Sequence, residues 1–223
     1  MFNEISPRYD LLNRLLSFGI DRHWRRTLAK YLFLSVKKNI LDLAAGTGDV
    51  LLNLIKKQPA ITEAVGIDLA KNMLAIGLEK IAKEGLSQRI QLLQGDAARI
   101  PFESAYFENV SIAFGIRNMP DAEAVLKEMN RVLVPKGRAI ILEFSLPSNP
   151  LLRAIHLFYL RTIVPFVGGL ISGHSEAYRY LNQTIETFPY GRAFCQLMMG
   201  AGFTRASAHP LMGGIATIYV GEK

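Results

Sequence analysis

Residues in the middle of the chain are suited to binding an adenosine nucleoside. The turn Gly46-Thr47-Gly48 lets the backbone approach a ligand closely, because glycine has no Cβ. Asp68 stands 22 residues after Gly46, and its carboxylate can accept hydrogen bonds from both hydroxyls of an adenosine ribose. Asp96 can accept from the adenine amino group, and the backbone amide of Ala97 can donate to a ring nitrogen. This set predicts a nucleoside site.

The charges around the turn favour a cationic ligand that has no phosphate. A dinucleotide fingerprint needs glycine at position 51, where this chain has Leu51, and no lysine of a phosphate-binding loop is present. Asp49 lies next to the turn, where its charge would oppose a pyrophosphate. With Asp42, Asp68 and Asp96 it forms an acidic set that suits S-adenosylmethionine, a cation without phosphate. The alternative is that Asp42 and Asp49 are only helix-cap or turn residues.

The elements that hold these residues alternate between short apolar runs and amphipathic stretches. Parallel strands need long crossovers, so the alternation predicts an α/β fold with a doubly wound, mostly parallel seven-stranded sheet. The last strand is expected to be antiparallel because a short turn, residues 210–214, precedes it, and N-terminal helices are expected before the first strand. The predicted strands are 39–44, 63–68, 90–95, 107–114, 138–144, 203–209 and 215–220. The candidate residues fall at the carboxyl ends of the first strands, where such sheets bind ligands.

The helices follow from capping and breaking signals. One helix is expected after the glycine turn through about Lys57, and an amphipathic helix over residues 71–84. Asp121 is expected to cap a further helix, which Pro135 and Gly137 terminate.

The chain is expected to form a single domain, residues 1–223. Within it we predict N-terminal helices over 1–38, a cofactor-binding core over 39–144, a substrate lid over 145–190 and a C-terminal helix and strand pair over 191–223. Residues 154–171 are largely apolar and near the length of a membrane span, but Arg161 and Pro165 interrupt them. A transmembrane helix is therefore not predicted. A lid, core packing and a membrane contact remain open for this stretch.

Composition and charge exclude several classes of protein. Half of the residues are apolar, which excludes a disordered chain, and one cysteine, Cys195, excludes an internal disulfide and fits a reducing cytosol. The net charge of +7 divides into +5 over residues 1–38, −1 over 39–143 and +3 over 144–223. No basic cluster interleaved with aromatic residues is present, so a nucleic-acid partner is not expected. The four histidines do not have metal-ligand spacing, and the first residues do not resemble a secretory signal.

Several segments carry a family resemblance. LDLAAGTGD, GID, GDA and RVLVPKG, in that order, look like a class I methyltransferase. Residues 9–24 and 131–145 resemble the two signatures of the ubiquinone/menaquinone biosynthesis C-methyltransferases, and residues 113–118 and 178–181 are similar to that family too. The resemblance implies a Rossmann-like fold, S-adenosylmethionine as the methyl donor and no metal. It implies cofactor contacts at Thr47, Asp68, Asp96 and Ala97.

The chain also departs from the family pattern. Leu12 and Asp21 replace the usual methionine and histidine of the first signature, and Val134 and Lys136 replace lysine and glycine of the second. Ala113 stands where the family has a serine among its cofactor contacts, so that contact is not carried over.

The reaction implied by the resemblance is methylation of a ring carbon of a prenylated quinol. Demethylmenaquinol is the favoured acceptor, and the ubiquinone precursor 2-methoxy-6-polyprenyl-1,4-benzoquinol is the alternative, alone or as a second acceptor. More distant alternatives are another small lipophilic acceptor and a non-catalytic assembly subunit that binds the donor.

Three residues are candidates for work on the acceptor. Arg117 and Asn118 follow the fourth strand, where Arg117 can polarise a quinol oxygen directly or through a water. The alternative for Arg117 is a structural ion pair. Tyr178 can contact the quinol, although its spacing from Tyr180 is equally typical of packing.

A prenyl quinol resides in the bilayer, so we expect peripheral association with the inner face of the cytoplasmic membrane. Basic residues gain about 1 kcal/mol each near anionic lipid. Arg22, Arg25, Arg26 and residues 154–171 are the predicted membrane face. The protein is expected to be a monomer or a homodimer.

Overall fold

A seven-stranded sheet forms the centre of the protein, in the order β3-β2-β1-β4-β5-β7-β6. The computed structural model describes residues 17, 19–167 and 175–223, with side chains in the last range described from residue 180. β7 is antiparallel to both of its neighbours, and the other neighbouring strands are parallel, which confirms the predicted doubly wound sheet and its antiparallel last strand. The strands are β1 Asn39–Leu43, β2 Glu63–Asp68, β3 Ile90–Gln94, β4 Phe107–Ala113, β5 Leu133–Phe144, β6 Arg205–Leu211 and β7 Ala216–Glu222.

Helices cover the sheet within the described part of the chain. They are α1 Ile20–Thr27, α2 Asp49–Lys57, α3 Lys71–Lys83, α4 Ala122–Val132, α5 Pro150–Phe158, α6 Ser175–Thr187 and α7 Arg192–Gly200. A π-helical segment, Tyr159–Ile163, continues α5. The predictions for residues 1–16, including the start of the first signature, and for residues 168–171 of the apolar stretch lie outside the described residues.

Asp121 caps α4 as predicted. Its Oδ1 accepts a hydrogen bond from the Ala124 amide at 2.9 Å, which satisfies one of the amides left free at the start of a helix. Asn149 caps α5 in the same way, because its Oδ1 accepts from the amides of Leu151 and Leu152 at 3.0 and 3.1 Å.

The start of β5 differs from the prediction. The strand was expected from residue 138, but it begins at Leu133, directly after α4. Leu133 pairs with Phe107, and the next ladder pair joins Arg138 to Asn109, so the residues between them form an irregularity. Pro135 lies in it, and it has no amide to donate to a ladder. The breaker residues that were predicted to end the helix therefore lie inside a strand.

Two apolar clusters lie on opposite faces of the sheet. Successive side chains of a strand point to opposite faces, so Leu41 packs with α4 residues such as Met129, and Ile40 packs with α2 residues such as Leu51. All five residues of β1 are buried, as expected for a central strand covered on both faces.

Candidate functional site

A cavity of about 250 Å³ opens at the carboxyl ends of the first four strands. Its lining comes from the carboxyl ends of β2 and β4, from the residues that follow β1 to β4 and from the first turns of α2 and α3, together with one residue of α1. Among the predicted site residues, those that line it are Gly46, Thr47, Asp68, Ala97 and Asn118. Those that are not part of the lining are Asp42, Gly48, Asp96 and Arg117. Tyr178 belongs to α6, and its side chain lies outside the described part of the chain.

Asp68 connects the ends of β1 and β2. Its Oδ2 accepts from the Gly46 amide at 2.8 Å, and its Oδ1 accepts from the Ala70 amide at 2.7 Å. An ionised carboxylate has about four acceptor sites, so two remain for a ligand. The carboxylate thus holds the glycine turn in place and faces the cavity.

The glycine turn leads directly into α2. Gly46 and Gly48 have φ of 54° and 75°, in the left-handed region that favours glycine, and Gly48 is the N-cap of α2. The turn can approach a ligand closely because a Cβ is missing at both positions.

Lys80 on α3 changes the charge balance of the site. Its Nζ donates to Thr47 Oγ1 and to Asp49 Oδ1, both at 2.9 Å. Asp49 lines the cavity, but its charge is compensated by Lys80, so the acidic set is weaker than the sequence indicated. Gly77 brings α3 close, since a Cβ there would lie 3.1 Å from the Thr47 carbonyl carbon. A glycine inside a predicted helix was the signal available for this approach.

Asp42 lies beneath the cavity. It is 1% exposed within β1, and its Oδ1 accepts from Ser111 Oγ at 2.6 Å. Burial raises the pKa of Asp42 from 3.8 to about 7. The charge of Arg25 lowers this pKa and the charge of Asp68 raises it. Asp42 is therefore electrostatically connected to two residues that line the cavity.

The end of β3 presents Asp96 and Ala97. Asp96 is exposed, and its Oδ1 accepts from the Ala98 amide at 2.9 Å. Ala97 is buried and lines the cavity, and its contact with an adenine ring stays a prediction.

Arg117 lies in a 3₁₀ turn, Ile116–Asn118, after β4. Its Nη1 donates to Glu143 Oε1 and to the Phe114 carbonyl, both at 2.7 Å. The two side chains are 7% and 1% exposed, so the structural ion pair considered for Arg117 is present. The Arg117 Nε is buried and has no hydrogen-bond partner among the described residues. One donor of this guanidinium is therefore not used in a hydrogen bond within the described part of the chain.

Arg25 is the cavity residue that the sequence analysis missed. It was predicted to face a membrane with Arg22 and Arg26, which are exposed, but it is buried and lines the cavity. The membrane-facing prediction was wrong for Arg25. The available signal was Asp21, four residues earlier, because oppositely charged residues at this spacing pair on one helix face.

No group of three or more His, Cys, Asp or Glu residues suited to a metal ion occurs within the described ranges.

Known proteins are similar to this chain along its whole length. The model of the ubiE/COQ5 methyltransferase family matches residues 1–223. A Geotalea uraniireducens protein named ubiquinone/menaquinone biosynthesis C-methyltransferase UbiE is 47% identical, over 100% of this chain and 94% of the relative. A Thermus thermophilus protein named demethylmenaquinone methyltransferase is 45% identical, over 100% of both chains.

Solved structures show the same fold at low identity. A SAM-dependent methyltransferase from Aquifex aeolicus has a TM-score of 0.59 at 17% identity, over 89% of this chain and 88% of that chain. The [4+2]-cyclase SpnF has a TM-score of 0.65 at 16% identity, over 100% and 93%. Since a cyclase shares the fold, these likenesses establish the fold alone. It is the full-length sequence matches that identify the family, and the chain belongs to the ubiE/COQ5 methyltransferases.

Proposed function

We propose that the protein transfers the methyl group of S-adenosylmethionine to a ring carbon of a prenylated quinol, with demethylmenaquinol as the acceptor. The observation that carries this proposal is a cavity at the ends of β1 to β4 in a chain that matches named quinone methyltransferases along its whole length. We favour demethylmenaquinol over the ubiquinone precursor because the Thermus thermophilus relative, which matches this chain over its whole length, is named demethylmenaquinone methyltransferase.

The donor site follows from the residues at the strand ends. Asp68 has two acceptor sites left for the ribose hydroxyls. The backbone amide of Ala97, which lines the cavity, donates to a ring nitrogen of the adenine. Asp96, next to Ala97, accepts a hydrogen bond from the adenine amino group. The turn Gly46-Thr47-Gly48 leaves space for the methionine part of the donor to lie close to the backbone. When bound, S-adenosylmethionine supplies an electrophilic methyl group on a positively charged sulfur.

The protein must make the acceptor carbon nucleophilic and hold it in line with the methyl group. Electron density reaches that carbon when a ring hydroxyl of the quinol loses its proton to water. As the carbon–methyl bond forms, the sulfur–methyl bond breaks and S-adenosylhomocysteine leaves, and the ring carbon then gives up its own proton to water, which restores the aromatic quinol. Arg117 does not line the cavity, so it supports the developing phenolate by its charge or through a water at its Nε, which has no hydrogen-bond partner among the described residues. Asn118 lines the cavity and helps to orient the ring. Tyr178, a residue of α6, is kept as a predicted contact of the quinol.

The function is tested by incubating the purified protein with methyl-labelled donor and short-chain quinols kept reduced. Demethylmenaquinol is expected to be methylated on its ring carbon, with kcat/KM at least about tenfold above that of the benzoquinol precursor, a difference of ~1.4 kcal/mol. Preference for the benzoquinol would move the protein to the ubiquinone branch. Donor binding without turnover on either quinol would identify a non-catalytic assembly subunit.

The second part of the proposal is that the protein meets its acceptor at the inner face of the cytoplasmic membrane through α5. Residues Pro150–Val167 form the one helix in the described ranges that is long and apolar enough to cross a membrane, and 17% of it is buried. Its other face packs on the protein, since Leu160 and Val164 form a cluster with Ile185 of α6. A helix held in this way lies along a membrane surface and does not span it.

The outer face of this helix is apolar. Its large side chains are 38% to 72% exposed, and they are Leu151, Ile155, Phe158, Ile163 and Phe166. Arg153 is exposed beside them, and Arg161 pairs with Glu186 of α6 at 2.9 and 2.5 Å. Apolar side chains with a neighbouring cation suit an anionic lipid surface.

Replacing Ile155, Phe158 and Phe166 with serine is expected to weaken binding to anionic vesicles by at least about 100-fold, because each buried apolar side chain contributes about 1.5–3 kcal/mol. Vesicle sedimentation at low and high salt measures the effect. The matched control carries Leu78→Ser and Met199→Ser, which are 50% and 48% exposed on other helices. Equal binding by both variants, or no salt-sensitive binding by the natural protein, would contradict the membrane proposal.

A further inference from the structure

Arg25 has no role in the reaction described so far. It is 8% exposed, and it is the one cationic side chain among the described residues that line the cavity. A buried guanidinium is costly unless its charge is compensated, and the buried Asp21 carboxylate supplies that compensation. The pair therefore holds a charged guanidinium beside the cavity, where it can also meet an anionic group of a ligand.

Contacts on several sides hold Arg25 in place. Its Nη1 pairs with Asp21, whose other carboxylate oxygen accepts from Ser17 Oγ at 2.9 Å. The guanidinium carbon lies 5.5 Å from the centre of the Phe114 ring. The neighbouring Trp24 is buried against the same ring at 6.0 Å, which fixes α1 on the sheet. Among contacts with described residues, the Asp21 hydrogen bond uses one of the five N–H donors of Arg25, which leaves donors for a ligand.

The strand order indicates which part of the donor reaches Arg25. β3, β2, β1 and β4 are successive neighbours in the sheet. The adenine belongs at Ala97 after β3, and the ribose belongs at Asp68 at the end of β2. The amino-acid part of the donor must then extend over the ends of β1 and β4, where Arg25 and Phe114 line the cavity.

The amino-acid part of the donor carries a negatively charged α-carboxylate, which is opposite in charge to the Arg25 guanidinium. Among the described residues that line the cavity, the charged ones are Asp49, Asp68 and Arg25, so Arg25 is the one that attracts an α-carboxylate. The charge of Asp49 is compensated by Lys80, which reduces its repulsion of such a group. A guanidinium can bind a carboxylate through two parallel hydrogen bonds.

We propose that Arg25 binds the α-carboxylate of S-adenosylmethionine, with Asp21 as a positioning residue that orients the guanidinium. The inference rests on the proposed donor site and adds the residue that recognises the amino-acid end. It makes the protein selective for donors and products that carry this carboxylate.

The test compares two ligands by calorimetry: S-adenosylmethionine and its decarboxylated analogue, which keeps the sulfonium, the amine and the nucleoside. The double variant Asp21→Asn/Arg25→Met avoids an unpaired buried carboxylate. It is expected to bind S-adenosylmethionine about 30-fold more weakly, as for loss of a charge-assisted contact, and the analogue unchanged. Arg25→Lys is expected to recover part of the difference. The control Arg22→Met removes the same charge from an exposed position of α1 and should leave both affinities unchanged.

Equal losses for both ligands would show a general effect on the cavity and would overturn the inference. Unchanged donor affinity with a raised KM for the quinol would assign Arg25 to the acceptor and would overturn it too. If the natural protein bound neither ligand, the proposed donor site itself would fail, which is a distinct result.

Discussion

Replacing Asp68 with alanine is expected to weaken the binding of S-adenosylmethionine by at least about 100-fold, and turnover with it. Two hydrogen bonds from the ribose to a carboxylate contribute about 1.5–3 kcal/mol each. The replacement also removes the acceptor of the Gly46 amide at 2.8 Å, so the glycine turn loses its link to β2. Ligand binding and local order are therefore lost together.

Calorimetry with S-adenosylhomocysteine measures this effect without an acceptor. Asp68→Asn keeps the size of the side chain and one acceptor oxygen, and it is expected to fall between the alanine variant and the natural protein. Asp121→Asn is the matched control, because Asp121 caps α4 outside the cavity and asparagine is an equally good cap. Unchanged affinity in the alanine variant would remove Asp68 from the donor site.

Replacing Arg117 with methionine is expected to lower the free energy of unfolding by about 3–5 kcal/mol and to abolish methyl transfer. The variant leaves the Glu143 carboxylate buried without its counterion, which is the costly way to break a buried pair. The Phe144 amide, which donates to Glu143 Oε1 at 2.8 Å, compensates only in part. Denaturant unfolding and the methylation assay measure the two effects.

The double variant Arg117→Met/Glu143→Gln separates stability from catalysis. It contains no unpaired buried charge, and glutamine still offers an oxygen to the Phe144 amide, so most of the stability should return. If Arg117 polarises the quinol, the double variant stays inactive although it binds the donor normally. Recovered methyl transfer would reduce Arg117 to a structural role.

Local patterns were sufficient to predict most of the fold. Apolar runs between turn residues located the strands, and Asp121 located the start of α4 because a cap acts on amides within the same turn. The start of β5 could not be found in this way. Leu133 is a strand residue because it pairs with Phe107, which is distant in sequence, and that pairing outweighs the breaker signals at Pro135 and Gly137.

The residues of the candidate site also fall into those that local sequence patterns predict and those that depend on tertiary packing. Gly46, Thr47, Asp68 and Ala97 were predictable because strand ends and a glycine turn bring them to the cavity through backbone geometry alone. Arg25 reaches the cavity by the packing of α1 on the sheet, and Lys80 reaches Thr47 and Asp49 by the packing of α3. Residues near them in sequence, Asp21 for Arg25 and Gly77 for Lys80, indicate an ion pair and a closely packed helix. They do not indicate which part of the sheet each helix packs against.

The burial of Asp42 makes folding of the ligand-free chain a proton-uptake reaction over part of the pH range. Its pKa is about 7 in the folded protein and 3.8 in the reference state, so between these values the folded chain holds a proton that the unfolded chain has released. Protonation of Asp42 makes its full contribution to the free energy of unfolding below about pH 4. This contribution is lost as the pH rises through 7. Carboxylates in ion pairs have the opposite dependence. At this one residue, mild acid therefore favours the folded state.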